Sequence, residues 1–263
     1  MICRYLNTGA NDGYTNMAID EALLKHCTQP IIRIYGWNPP AMTIGYAQSK
    51  LKEINIKKCS KKNIPIIRRI TGGKAIFHQF ELTYCFIVPG KMVDLPLSIT
   101  DSYKKIAGAL SRGLKILGMQ TEMHASKDPS QSSLCYVSSG WYELLVKGKK
   151  ISGSAQRRME GKILQHGSIL LDFNYNMNAE LFNLRAAEHK LCFKVTNLKR
   201  ELGREVSFEE AATALQQGFS KQFNLNMEEK PLSEAEDTTV KELIQNKYKC
   251  ESWNKLQSIR GHQ

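Results

Sequence analysis

The sequence contains no CxxC pair, no internal repeat and no low-complexity linker. Its seven cysteines (Cys3, Cys27, Cys59, Cys85, Cys135, Cys192 and Cys250) are odd in number and scattered. That usage suggests neither a disulfide framework nor a zinc site, and leaves free thiols in a reduced, cytoplasmic protein as the expectation. No apolar run approaches the ~20 residues that span a bilayer, and "MICRYLNTGANDG" lacks the basic-then-apolar order of a secretory signal. Acidic residues are in deficit, 25 against 37 Lys and Arg, for a net charge of +12. Such a surface favours polyanions or acidic proteins. The lysines are dispersed, however, with clusters only at "KKCSKK" (57–62) and "KGKK" (147–150). No RNP motif, zinc finger or recognition helix is present, so an acidic protein partner fits the charge without nucleic acid.

The 263 residues suit one large domain, or one domain with a small appendage, and can bury a core without staples. "DGYTNMAIDEALLKH" carries helical spacing, with Asp12 or Thr15 able to cap it. "IIRIYGW" and "AMTIGYA" read as strands separated by the turn residues "NPP", and "PIIRRI", "KAIFHQ" and "LTYCFIV" as three more. "SITDSYKKIAGALSRGLKILG" is an amphipathic helix with Ile106, Ala107, Leu110, Leu114 and Leu117 on one stripe. "YELLV", "KKISGSAQ" and "GKILQHGSILLDF" read as a meander turning at Lys147-Gly148 and Glu160-Gly161. Two helices follow, with capping boxes predicted at Ser207/Glu210 and Ser233/Glu236. The fold class is therefore α+β, a mixed or antiparallel sheet flanked by helices. One domain over 1–250 is expected, its helical C-terminal part at about 205–250, with 251–263 as a tail.

Three stretches are richer in polar residues and glycine than a strand requires. In "RRITGGKAIFH" two arginines end a strand, Gly72-Gly73 turn the chain and His78 closes the next strand. Glycines admit a ligand close to the backbone and arginines can hold a carboxylate or phosphate, although on the residues alone an ordinary hairpin with surface arginines is the plainer reading. In "KKISGSAQ", Lys150, Ser152, Ser154 and Gln156 alternate onto one strand face. Gly153 and Ala155 leave the other face with little bulk. Lys150 is either solvated or turned into a cleft, where it would stabilise developing negative charge. In "LQHGSILLD", His166 is a base or a satisfied core histidine. Cys135 sits in the serine-rich "QSSLCYVSSGWYEL", a loop rather than a core strand, where a nearby cation such as Lys150 would activate the thiol.

Taken in order, "NMAIDEALL", "IRIYGWNPPAMTIGYAQ", "RRITGGKAIFHQFELTY", "CYVSSGWYELLVKGKKISGSAQRR" and "LQHGSILLD" resemble the lipoate-protein ligase and octanoyltransferase superfamily. That superfamily shares its catalytic domain with biotin protein ligases, and the resemblance spans about residues 1–250. Lys74 stands where lipoate ligases carry a third glycine, and "ELTY" follows His78. Together with the cysteine ahead of "YEL" and the "GKK" after it, this is similar to the octanoyltransferase branch of Gram-positive bacteria. The chain differs from that branch at Val137, Ser138 and Ser139, where a proline is common, and at Gln79, where aspartate is frequent.

The resemblance implies Cys135 and Lys150 as catalytic residues. It implies Arg69, Thr71, Gly72, Gly73, Lys74, His78, Gly153, Ser154, Ala155, His166 and Gly167 as substrate-binding residues. The implied reaction moves octanoyl from octanoyl-acyl carrier protein to Cys135 as a thioester, then to one lysine of a lipoyl domain, either the glycine cleavage H protein or a 2-oxoacid dehydrogenase E2. This is the first step of lipoate biosynthesis. Neither metal nor cofactor is implied, and a monomer is expected. Burying the apolar acyl tail is worth about 5 kcal/mol. Two readings stay open: an ATP-dependent lipoate ligase working through a lipoyl-adenylate, and a non-catalytic basic binding module on the same fold.

Overall fold

The computed structural model describes residues 1–48, 51–90, 92–124, 143–183 and 191–254. The chain runs β1 (Ile2–Asn11), α1 (Gly13–His26), β2 (Ile31–Trp37), β3 (Ala41–Ile44), α2 (Ile56–Lys61), β4 (Ile66–Arg68), β5 (Ile76–His78), β6 (Glu81–Pro89) and α3 (Ile99–Ile116). It continues through β7 (Glu122–His124), β8 (Glu143–Val146), β9 (Lys149–Lys150), β10 (Ser152–Met159), β11 (Lys162–Leu170), α4 (Tyr175–Leu181), α5 (Leu191–Lys194), α6 (Leu198–Leu202) and α7 (Phe208–Phe223). Then come β12 (Asn226–Glu229), α8 (Glu234–Leu243), a π-turn over Ile244–Tyr248, and α9 (Glu251–Asn254).

A six-stranded sheet in the order β10-β11-β6-β2-β1-β12 forms the centre. β1 runs parallel to both β2 and β12, and the other pairings are antiparallel. The sheet is mixed, as expected. Alternation along its strands divides two cores. Ile32, Ile34, Tyr84 and Phe86 join Leu110, Leu114, Leu215 and Phe219 beneath α3 and α7. Ile31, Tyr35, Cys85 and Ile87 join Leu23, Leu24, Val240 and Tyr248 beneath α1 and α8. The C-terminal helices therefore build on the central sheet, interrupted by the short edge strand β12, which the sequence reading missed together with β1.

Local chemistry explains most boundaries. Asp12 caps α1, accepting from the N–H groups of Tyr14 and Thr15. Ser233 and Glu236 make the full reciprocal box at α8. At α7 only half the predicted box forms: Ser207 accepts from the Glu210 N–H, while the Glu210 carboxylate is held by Arg204. Lys147, Gly148, Glu160 and Gly161 all take positive φ, the backbone that two-residue hairpin turns require.

Two further sheets depart from the expected hairpin at Gly72-Gly73 and from the expected meander. β4 and β5 do not form a hairpin; they flank β3 in the order β4-β3-β5. "KKISGSAQ" is not one strand. The Ile151 N–H donates to the Leu144 carbonyl in β8, while its own carbonyl accepts from the Leu170 N–H at the end of β11. Ile151 thus hands the chain from a small β7-β8-β9 sheet to the central one. Lys150 ends the first, and Ser152 begins the second.

Candidate active site

Where the central sheet meets the β4-β3-β5 sheet, a narrow cavity of about 40 Å³ opens. Met17, Tyr35, Trp37 and Ile76 give it apolar walls, and eight of the expected residues line it: Arg69, Gly73, His78, Gly153, Ser154, Ala155, His166 and Gly167. β10 and β11 pair antiparallel, with Ser154 opposite Gly167 and Ala155 opposite His166. This register sets the two glycine-bearing stretches side by side. A Cβ on Gly167 would lie 2.4 Å from the Gly153 carbonyl oxygen, so the close approach depends on glycine there.

The loop after β4 is fixed by its arginines. Arg69 is buried. It donates from Nε to Thr71 Oγ1 (3.1 Å), from Nη1 to Thr43 Oγ1 (3.2 Å) and from Nη2 to the carbonyls of Gly72 (2.6 Å) and Lys74 (3.0 Å). Arg68 donates to the carbonyls of Gly45, Tyr46, Gln48 and Trp253. Both arginines grip backbone carbonyls of this chain, a role the bare dipeptide did not reveal.

Both cavity histidines are hydrogen-bonded at both nitrogens. His166 Nδ1 lies 2.8 Å from Asp20 and its Nε2 2.6 Å from Thr71 Oγ1. His78 Nδ1 lies 2.7 Å from Glu81 and its Nε2 2.8 Å from Thr43 Oγ1. His78 also stacks on Trp37 at 3.8 Å between ring centroids. Burial lowers the His166 pKa against the pull of Asp20. Burial pushes Asp20 up, but Arg33 at 2.6 Å and His166 outweigh it and hold the carboxyl below its ordinary value. Glu81 is likewise held low, burial being outweighed by His78, Ser168 and Thr83. Asp20 and Glu81 lie inside motifs already noted, in "NMAIDEALL" and "QFELTY". Asp20, on α1, meets a histidine far along the chain that no spacing could signal, whereas Glu81 stands three residues after His78 in "HQFE", a pairing that the spacing did offer.

Lys150 does not line this cavity. Its side chain is buried and Nζ lies 2.5 Å from Glu143 Oε1, the glutamate of "YEL". Thr71 enters the site through its hydroxyl bonds, while Gly72 and Lys74 enter through the carbonyls on Arg69. Cys135 lies outside the described residues. Among the other thiols, burial raises the pKa of Cys3 to about 12 and of Cys27 to about 11, and pushes Cys59 and Cys85 up as well. Thiols so held are poor nucleophiles.

The profile of the lipoyl protein ligase A/B catalytic domain matches residues 12–220, and with them the cavity and both histidines. The chain belongs to that family. It is 36% identical to octanoyltransferase LipM of Halalkalibacterium halodurans, covering 95% of this chain and 98% of the relative. Its identity to octanoyltransferase LipM of Staphylococcus aureus is 37%, covering 95% and 96%. Among solved structures, lipoate-protein ligase A bound with ATP superposes with a TM-score of 0.82 at 26% identity, covering 97% of this chain and 98% of that one. This family member is an enzyme of the acyltransferase class, and its α+β fold is the family's fold. No described helix is long and apolar enough to cross a membrane.

Proposed function

We propose that this chain takes octanoyl from octanoyl-acyl carrier protein onto the Cys135 sulfur and passes it to one lysine of a lipoyl domain, on the glycine cleavage H protein or a 2-oxoacid dehydrogenase E2. In the first step the Cys135 thiolate attacks the donor thioester, its S–C bond forms and the carrier thiol leaves. In the second, the lysine nitrogen attacks the new thioester, a C–N bond forms, the C–S bond breaks, and nitrogen loses the protons that leave a neutral amide. A thioester exchanged for a thioester is near energy-neutral and a thioester exchanged for an amide runs downhill, so neither step requires ATP.

The observation that carries this reading is full-length similarity, at 36–37% identity, to proteins named octanoyltransferase. The arrangement of residues supports it. The cavity walled by Gly153, Ala155 and Gly167 is narrow and chiefly apolar, the lining an unbranched acyl chain requires, and at about 40 Å³ it must widen to take the eight-carbon tail. Lys150 presents a buried ammonium three residues before Gly153, held by Glu143. In this proposal that ammonium activates the Cys135 thiol and meets the acyl carbonyl oxygen as charge develops on it. Four of the remaining thiols are disabled by burial. The charge of +12 would draw acidic carrier and acceptor proteins toward the cleft.

The competing reading, lipoate activation with ATP, has support in the structural likeness to a ligase. Incubation with octanoyl-acyl carrier protein should add one octanoyl mass, released by hydroxylamine and absent from Cys135→Ser. Octanoyl transfer at the normal rate by Cys135→Ser, or modification of a lipoyl domain only with lipoate and ATP, would overturn the proposal.

A further inference from the structure

The two histidines of the cavity belong to one buried chain of hydrogen bonds with the same order of groups at each end. It runs Asp20, His166, Thr71, Arg69, Thr43, His78, Glu81. All seven residues are buried, and they come from α1, β11, the loop after β4, β3, β5 and β6.

The donor and acceptor inventory of the chain leaves one consistent arrangement. An ionised carboxylate only accepts and a guanidinium only donates. Each imidazole therefore carries its proton on Nδ1, facing Asp20 or Glu81. Each threonine oxygen already accepts from Arg69, so its own O–H is free to donate, and the group it faces is a histidine Nε2. A proton on either Nε2 would leave a buried threonine O–H without an acceptor. The two carboxylates thus set both tautomers, the tautomers set the threonine hydroxyls, and those fix the plane of Arg69. Arg69 in turn binds the carbonyls of Gly72 and Lys74. With the Gly72 carbonyl turned onto Arg69, the trans peptide directs the Gly73 N–H the opposite way, and Gly73 lines the cavity.

We propose that Asp20 and Glu81 are positioning residues for acyl transfer, holding the Gly72-Gly73 turn through the two histidine–threonine pairs that converge on Arg69. The role in acyl transfer rests on the function proposed above; the tautomer assignment does not.

Two measurements test it. In the unmodified protein labelled with ¹⁵N-histidine, two-bond ¹H–¹⁵N spectra at neutral pH should show His78 and His166 both neutral and both protonated on Nδ1. An Nε2–H or doubly protonated pattern for either overturns the proposal, whether or not the protein is active. Secondly, Thr71→Val removes the hydroxyl that joins His166 to Arg69 while conserving volume. Its rate of acyl-thioester formation per folded molecule should fall about tenfold to a hundredfold, the scale of a small misplacement near reacting atoms, and Thr71→Ser should restore it. A folded Thr71→Val that acylates at the normal rate overturns the proposal. If Thr71→Val does not fold, Thr43→Val makes the same break at the other pair, with the same two outcomes. Failure of the unmodified protein to acylate at all would count against the proposed function and leave the spectroscopic result standing.

Discussion

The Nζ of Lys150 lies 2.5 Å from Glu143 Oε1, and both side chains are at least nine-tenths buried. Glu143 is the last residue before the buried Leu144, and Lys150 sits opposite Leu145 on the adjacent strand. The hairpin turn at Lys147-Gly148 therefore brings an expected catalytic residue against an unforeseen carboxylate.

Removing one partner of that pair strands the other charge in the interior, which costs about 3–5 kcal/mol. Lys150→Met should lower the unfolding free energy read from urea denaturation by that amount and abolish acyl transfer. The double variant Lys150→Met/Glu143→Leu should recover most of the stability, since an apolar pair of similar volume replaces the ions, and should remain inactive. Denaturation read beside thioester formation separates the two effects. Activity in the stable double variant would remove Lys150 from the mechanism.

Backbone crowding at the glycine turn gives a second prediction. A Cβ on Gly45 would sit 2.0 Å from the Gly73 carbonyl oxygen, whereas one on Gly72 meets nothing within 4 Å. Gly45→Ala must displace the loop, at a cost of about 1–3 kcal/mol, and should impair acyl transfer although Gly45 does not line the cavity. Gly72→Ala should keep the stability of the unmodified protein. Equal melting temperatures for the two variants would show that the loop absorbs the methyl group.

Much of this was legible in the sequence, for identifiable reasons. Periodicity placed α3 because it buries one stripe, β2 and β6 stood out as short apolar runs because both their faces are buried, and Asp12 and Ser233 cap as their types predict. Residues grouped by glycine and polarity did converge: Gly73, His78, Gly153 and His166 share one cavity. The misses have a common cause. β1 and β12 gain their strand character from partners far away in the chain, Ile2 pairing with Asn226. The apparent hairpin at Gly72-Gly73 failed because β3 inserts between β4 and β5, which no local signal encodes. Asp20 acts on a histidine that only folding brings near, while Glu81 and Glu143 stand close in sequence to His78 and Lys150 and meet them across short connections.

The titration of the buried network predicts a pH dependence of stability. The folded His166 pKa lies below its ordinary 6.5, because burial outweighs Asp20. The unfolded chain therefore takes up that proton first as pH falls, and stability declines below about pH 6.5. The pKa values of Asp20 and Glu81 are also held below their ordinary 3.8 and 4.5. Their contribution is complete above those values and is lost as pH falls through them, in the same direction. Urea midpoints should be level near neutrality, decline gradually below 6.5 and fall steeply below about 4.5. Asp20→Asn should flatten the low-pH part of that curve. A midpoint that rises on acidification from pH 7 to 5 would contradict these directions.

Hydrogen bonds cross the boundary expected at residue 250. Trp253 Nε1 donates to the Arg68 carbonyl at 2.8 Å, and the Arg68 side chain donates from Nε to the Trp253 carbonyl at 3.0 Å. Asn254 Oδ1 accepts from the Arg68 N–H at 2.9 Å. The indole also receives Lys247 Nζ at 4.1 Å from a ring centroid and meets Tyr248 edge-on. Arg68 in turn clamps the carbonyls of Gly45, Tyr46 and Gln48. The residues just past 250 therefore brace the strand that leads into the glycine turn. Deleting 251–263 should lower stability by about 1–3 kcal/mol, the scale of exposing buried hydrogen-bonding groups, and should reduce the rate of thioester formation. Trp253→Phe keeps the ring contacts but loses the indole donor, and should lie between the two. Full activity in the truncated chain would show that β4 holds the turn without this brace.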